Sequence, residues 1–199
     1  MSIRAVIFDL GGVLVRLEDD EPRAALSLRV GKTTAELEKI VFGKTSIQAS
    51  LGKITARQHW QAVMRALDLP ESDLEQTYAQ FFGGDKVDNA LIDYIRSLRP
   101  HYKTALLSNA WDDLRQLLHD TWQIEDAFDE IFISAELKIA KPQAEIYRLA
   151  LETLGVAPQE ALFIDDTEKN VIAARALGMH GIYFEDKAAV QAELERLLQ

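Results

Sequence analysis

Four groups of polar side chains stand where an apolar run of this sequence stops. Asp9 follows IRAVIF at 3–8 and is itself followed by Gly11-Gly12. Ser108-Asn109 closes the run TALL at 104–107, Lys141 comes shortly after the run at 130–133 and precedes Pro142, and Asp165-Asp166 closes ALFI at 161–164. Acids on two separate strands can hold Mg²⁺, which takes one or two carboxylates and fills the rest of its shell with water and phosphate oxygens. Lys141 and such a cation would offset the charge of a phosphoryl group. Ser108 would donate to a phosphate oxygen, and exposed N–H groups there and in the Gly11-Gly12 turn favour anions. Asp9 could then accept the phosphoryl group, with catalysis coming mostly from positioning and charge stabilisation.

Such a set works only if the chain brings it to one place. The short runs at 3–8, 104–107, 130–133, 161–164 and 181–184 predict strands buried on both faces, as in a parallel sheet. Between them lie helical patterns at 90–98, 111–122, 144–154, 168–177 and 188–198, the third and fourth ending before Gly155 and Gly178. The alternation predicts an α/β fold with a doubly wound sheet, in which ligands sit at the carboxyl ends of the strands near the reversal of strand order.

Residues 16–88 break this rhythm. They carry no convincing strand but several helix starts: Thr33 or Thr34 before 35–42, Thr55 before 56–67, and Pro70 opening 74–82. The expected organisation is therefore a sheet domain made of 1–15 and 89–199, with 16–88 as a small helical cap inserted after the first strand. Gly83-Gly84 is expected to be its flexible exit.

The chain has 199 residues and a formal charge of -10, with 32 acids against 22 bases. That balance argues against a nucleic-acid partner, which would want a basic stripe. No cysteine is present, which removes disulfides and thiol chemistry and fits a reducing cytoplasm. The first segment is interrupted by Asp9 and is expected to be a strand rather than a secretion signal. No apolar stretch is long enough for a membrane span. The expected partner is a small phosphorylated metabolite; oligomeric state is left open.

Taken together, FDLGGVL (8–14), LLSNA (106–110), AKPQAEIY (140–147) and FIDDTEKNVIAARALGM (163–179) resemble the four ordered motifs of the haloacid dehalogenase-like hydrolases. The layout resembles that family along essentially the whole chain, with a helical C1-type cap on a Rossmann-like core. The resemblance implies a Mg²⁺-dependent phosphatase with Asp9 as nucleophile and metal ligand and the Gly11 carbonyl as a second ligand. It further implies Asp166 as a direct ligand, Asp165 as an outer-sphere or alternative one, and Ser108 and Lys141 as phosphate-binding catalytic groups. Gly12 and Asn109 complete the expected substrate-binding set, and Asn170 falls where many relatives have another acid. Within that family, the Asp-Leu-Gly of the first motif and the Asp-Asp followed by Asn of the fourth resemble bacterial sugar-phosphate phosphatases related to α-glucose-1-phosphatase.

One position departs from the pattern. The family usually has a second Asp, a general acid/base, two residues after the nucleophile; here Gly11 stands there. Without an acid for the leaving group, a sugar 1-phosphate or another activated ester is expected to be preferred. The resemblance also covers metal-free 2-haloacid dehalogenases, which typically carry Tyr at the Gly11 position and lack the paired acids, and non-catalytic phospho-ligand binders. Taken singly, each residue has an ordinary alternative. Asp9 could be a turn residue, Asp165-Asp166 and Ser108-Asn109 helix caps, and Lys141 a surface lysine with Lys138 as competitor. Trp60 and Phe81-Phe82 are expected in the cap core, and His59 either there or facing the crevice.

Overall fold

The computed structural model describes residues 2–198, and side chains 187–189 are not described. Met1 and Gln199, the ends of the two expected sheet-domain segments, lie outside the described residues. Strands β1 (Ala5–Phe8), β4 (Lys103–Ser108), β5 (Glu130–Ile133), β6 (Ala161–Asp165) and β7 (His180–Tyr183) form one sheet in the order β5-β4-β1-β6-β7. Every pairing in it is parallel. The chain runs outward from β1 through β4 to β5, then returns past β1 to β6 and β7. The order therefore reverses at β1, and Asp9 sits just beyond its end.

Alternation along each strand explains the two cores. Val6, Phe8, Leu106, Leu162 and Ile164 face one side, against Leu91, Ile92 and Ile95 of α6 (Asn89–Leu98). Ala5, Ile7, Ala105, Leu107 and Phe163 face the other, against α9 (Ala144–Leu154), which contributes Ile146, Tyr147, Ala150 and Leu154, and Ala174 of α10 (Glu168–Ala176). Each fully buried Val, Leu, Ile or Phe among them contributes roughly 1.5–3 kcal/mol by leaving water. This two-sided burial gives the strands their continuous apolar character and holds their carboxyl ends in fixed register.

Between β1 and α6 lie five helices: α1 (Glu21–Val30), α2 (Thr34–Val41), α3 (Lys44–Ser50), α4 (Ala56–Ala66) and α5 (Leu74–Phe82). Thr33 and Thr55 each close a capping box, with Glu36 and Gln58 reaching back to the cap N–H. The helices bury a cluster of their own around Leu26, Leu37, Val41, Trp60, Val63, Leu67 and Phe81.

The structure corrects the strand-free reading of 16–88. Strands β2 (Val15–Leu17) and β3 (Asp85–Val87) pair antiparallel and form the entry and exit of the helical segment. Each is three residues of mixed polarity and half exposed, so neither carries a local signal. Their pairing is a tertiary event, supported by an Arg16–Asp88 ion pair at 2.6 Å. Gly84 is buried in this ribbon. Its carbonyl accepts from Glu18 N at 3.0 Å and Asp19 N at 3.2 Å, and a Cβ on it would lie 1.6 Å from the Asp19 carbonyl. This glycine thus permits a close approach.

Two further elements differ from expectation. The weak pattern at 111–122 becomes a short α7 (Leu114–Gln116) running into a wide turn, in which Trp122 N donates to Leu117 O at 2.9 Å. A short α8 (Ser134–Leu137) follows β5 directly.

Candidate active site

The strand ends deliver their polar groups to one point. Asp9 N donates to Ile164 O at 2.8 Å, which ties the residue after β1 to the end of β6. The Asp9 carboxylate is nearly buried; its Oδ1 accepts from Leu10 N at 2.7 Å and lies 2.8 Å from Lys141 Nζ. Burial pushes Asp9 up to about 7, Lys141 opposes that rise, and the neighbouring Asp165 adds to it.

The paired acids are not equivalent. Asp165, the last residue of β6, is fully buried and surrounded by donors. Its Oδ1 accepts from Thr167 N at 2.7 Å, its Oδ2 lies 2.6 Å from Lys141 Nζ, and Asn170 Nδ2 reaches both oxygens at 3.1 and 3.0 Å. Asp166 is only half buried and receives the Thr167 hydroxyl at 3.3 Å. Burial raises its carboxyl, and Asp165 raises it further. Ligand oxygens of Asp9, Asp165 and Asp166 lie within 4.8 Å of one another, the grouping a divalent cation would need. Gly12 makes room for it: its φ is +76°, and a Cβ there would lie 2.0 Å from Asp166 Oδ2.

Lys141 is buried, whereas its competitor Lys138 is exposed and ends α8 in a left-handed conformation. The Lys141 ammonium bridges Asp9 and Asp165 and stands 5.4 Å from the Phe163 ring centroid. Its backbone is clamped by Asn109. Lys141 N donates to Asn109 Oδ1 at 2.8 Å, and Asn109 Nδ2 donates to Lys141 O at 2.9 Å. The Asn109 amide, expected to bind substrate, therefore holds Lys141. Ser108 ends β4 and is nearly buried.

Several supporting residues carry no sequence signal of their own. Ser134 Oγ accepts from Ala110 N at 3.1 Å and donates to Ala110 O at 3.2 Å, pinning the loop after Ser108. Farther along that loop, Asp112 Oδ1 accepts from Ala56 N at 2.7 Å and Trp111 Nε1 donates to Ser46 Oγ at 3.2 Å. These contacts join the loop to the helical segment, and only the folded chain reveals them. His59 does not face an open crevice. It is fully buried with Nδ1 2.9 Å from Thr45 Oγ1 and its ring 4.5 Å from that of Trp111, and burial lowers it to about 4. Trp60 and Phe81 are likewise buried in the helical segment's core, while Phe82 is half buried.

The chain matches the family described as haloacid dehalogenase-like hydrolase over residues 3–178. It is 30% identical to the sesquiterpene phosphatase AstK of Aspergillus oryzae over 99% of this chain and 97% of that one. It is 28% identical to the D-ribitol-5-phosphate phosphatase of Bacteroides thetaiotaomicron, over 98% of each chain. A HAD family enzyme of Bacteroides thetaiotaomicron, solved with magnesium and inorganic phosphate, superposes with a TM-score of 0.79 at 29% identity, covering 95% of this chain and 99% of that one.

Proposed function

The chain belongs to the haloacid dehalogenase-like hydrolases and hydrolyses phosphate esters, and from that premise we propose a Mg²⁺-dependent phosphatase of small metabolites working through a phospho-aspartate on Asp9. The observation that carries this reading is the Lys141 ammonium held between Asp9 at 2.8 Å and Asp165 at 2.6 Å, beside the open carboxylate of Asp166. Relatives named for a phosphorylated polyol, phosphorylated carbohydrates and sesquiterpenes support the substrate class without choosing among them.

In this reading Asp9, Asp166 and the Gly11 carbonyl hold the cation. Asp165 already has donors on both oxygens and serves to place Lys141. When bound, Mg²⁺ supplies positive charge that neutralises phosphoryl oxygens and keeps the buried Asp9 ionised. Lys141 and Ser108 bind phosphoryl oxygens, and Asn109 fixes Lys141 from behind. Asp9 attacks phosphorus in line, the ester oxygen leaves, and water later releases phosphate. Residues 16–88 act as a cap over this end of the sheet and select the organic part of the substrate. Gly11 provides no acid for the departing oxygen, so the preferred esters have acidic leaving groups, with a sugar 1-phosphate as the leading class.

Phosphate release should require Mg²⁺ and disappear in Asp9→Asn. Turnover of Asp9→Asn near the wild-type rate, in material free of other phosphatases, would sink the mechanism. A panel of phosphometabolites then ranks 1-phosphates against primary-alcohol phosphates. Higher kcat/KM for the latter would remove the leaving-group argument.

A further inference from the structure

Gly11 is a glycine for which the fold has no need. Its φ is outside the left-handed region, it is exposed, and a Cβ built on it would meet nothing within 4 Å. Gly12 beside it is the opposite case, with φ +76° and Asp166 in the way. A side chain at position 11 would thus fit both the backbone and the available space. What the glycine removes is chemical, a carboxyl group two residues after the nucleophile.

The two half-reactions feel that loss unequally. In the first, an Asp9 oxygen bonds to phosphorus, the bond from phosphorus to the ester oxygen breaks, and the departing oxygen takes a proton. A sufficiently acidic leaving group departs as an anion and takes its proton later from solvent. In the second, water bonds to phosphorus, the bond from phosphorus to Asp9 breaks with its electron pair returning to the carboxylate, and the proton of water passes to bulk water or to a dissolved base. Water is the same for every substrate. A general base there contributes typically about 10²–10⁴-fold.

Among the described residues, the polar groups named above are already engaged. Asp165 is taken up by Lys141, Thr167 N and Asn170, and Asn109 by the Lys141 backbone. Lys141 bridges two carboxylates, and His59 is packed inside the helical segment against Thr45 and Trp111. Asp166 is the carboxylate assigned above to the cation.

We infer that, for activated esters, hydrolysis of phospho-Asp9 rather than its formation limits turnover, so that the phosphorylated chain accumulates, and that the open space at Gly11 admits a small external base. The inference rests on the phosphatase reading and specifies which step is slow. It also means that leaving-group acidity appears in the rate of phosphorylation and in kcat/KM, while kcat stays level across good leaving groups.

The experiment uses the intact chain with Mg²⁺ and para-nitrophenyl phosphate, followed by rapid mixing and by intact mass after acid quench. A burst of about one nitrophenolate per chain is expected, with one phosphoryl adduct present during steady turnover. Imidazole should raise the steady rate several-fold without changing the burst. Gly11→Asp should remove the burst and raise kcat about 10²-fold or more, while Gly11→Asn, of similar shape but unable to act as a base, should keep the burst. Steady product with neither burst nor adduct in the wild type would overturn the inference and leave the phosphatase reading standing. So would a burst and steady rate unchanged in a folded Gly11→Asp that also ignore imidazole in the wild type. No product and no adduct from any ester would overturn both readings.

Discussion

The strand-end site and the helical segment treat buried polar atoms in opposite ways. At the site, Asp165 and Lys141 are nearly inaccessible and each is held from several directions at 2.6–3.1 Å. In the helical segment, Arg29 Nε, His59 Nε2, Trp60 Nε1 and Gln80 Oε1 are buried with no hydrogen-bond partner; among the described residues the site adds only Asn170 Oδ1. An unpaired buried polar atom costs about 1–3 kcal/mol, so such atoms persist where shape outweighs polarity. The site is pre-organised around charge, and loss of its one shared cation, Lys141, would uncover both Asp9 and Asp165. The helical segment is held mainly by rings and aliphatic side chains; its buried Arg23 is paired with Glu38, Asp85 and the Phe81 carbonyl, while the four atoms above are passengers. Substitutions should therefore be severe in one region and mild in the other.

The largest effect is expected at the nucleophile. Asp9→Asn should lower kcat on the order of 10⁴-fold or more while leaving the melting temperature level or higher, since it removes a buried charge. A large loss of stability would show that the Asp9–Lys141 pair holds the fold together. Next comes Lys141→Met, which keeps the apolar stem and strands Asp9 and Asp165 without their cation. About 3–5 kcal/mol of stability should be lost, because removing one partner leaves buried charge uncompensated. Urea denaturation at neutral pH measures it, and a cost below about 1 kcal/mol would erase the contrast between the regions.

The helical segment is tested by acid. The folded-state value of His59, about 4, lies below its ordinary 6.5, so the unfolded chain binds a proton first as pH falls. Its contribution is complete above pH 6.5 and disappears between there and about 4, by as much as about 3 kcal/mol. His59→Leu should lose less stability than the wild type over that window and match or exceed it below. Parallel pH profiles for the two would place His59 in contact with water. The smallest effect is expected at a cap. Thr55→Ala removes the hydroxyl that accepts from Gln58 N at 3.1 Å and should cost about 1 kcal/mol, with kcat unchanged.

Much of the site was legible because strands announce themselves locally. Apolar runs buried on both faces stop abruptly, and Asp9, Ser108 and Asp165 stand at those stops. The helix starts at Thr33 or Thr34 and at Thr55 were legible for the same reason, since a cap is local; the structure chooses Thr33 and completes both caps as boxes with Glu36 and Gln58. The β2–β3 ribbon was not, because its two halves are short, polar and separated by the whole helical segment. Nor was the difference between Asp165 and Asp166, which share a type and a peptide bond. Asp165 ends the strand and points among donors from Lys141 and Asn170, while Asp166 has turned toward Gly12.

The sequence by itself determined the parallel sheet, the helical interruption after its first strand and the residues standing at the strand ends, because periodicity, caps and strand stops are properties of neighbouring residues. Tertiary structure alone decided that Asn109 holds Lys141, that Trp111 and Asp112 fasten the site loop to the helices, and that His59 is enclosed. Those contacts join residues far apart in the chain, and no local pattern encodes which partner the fold will bring.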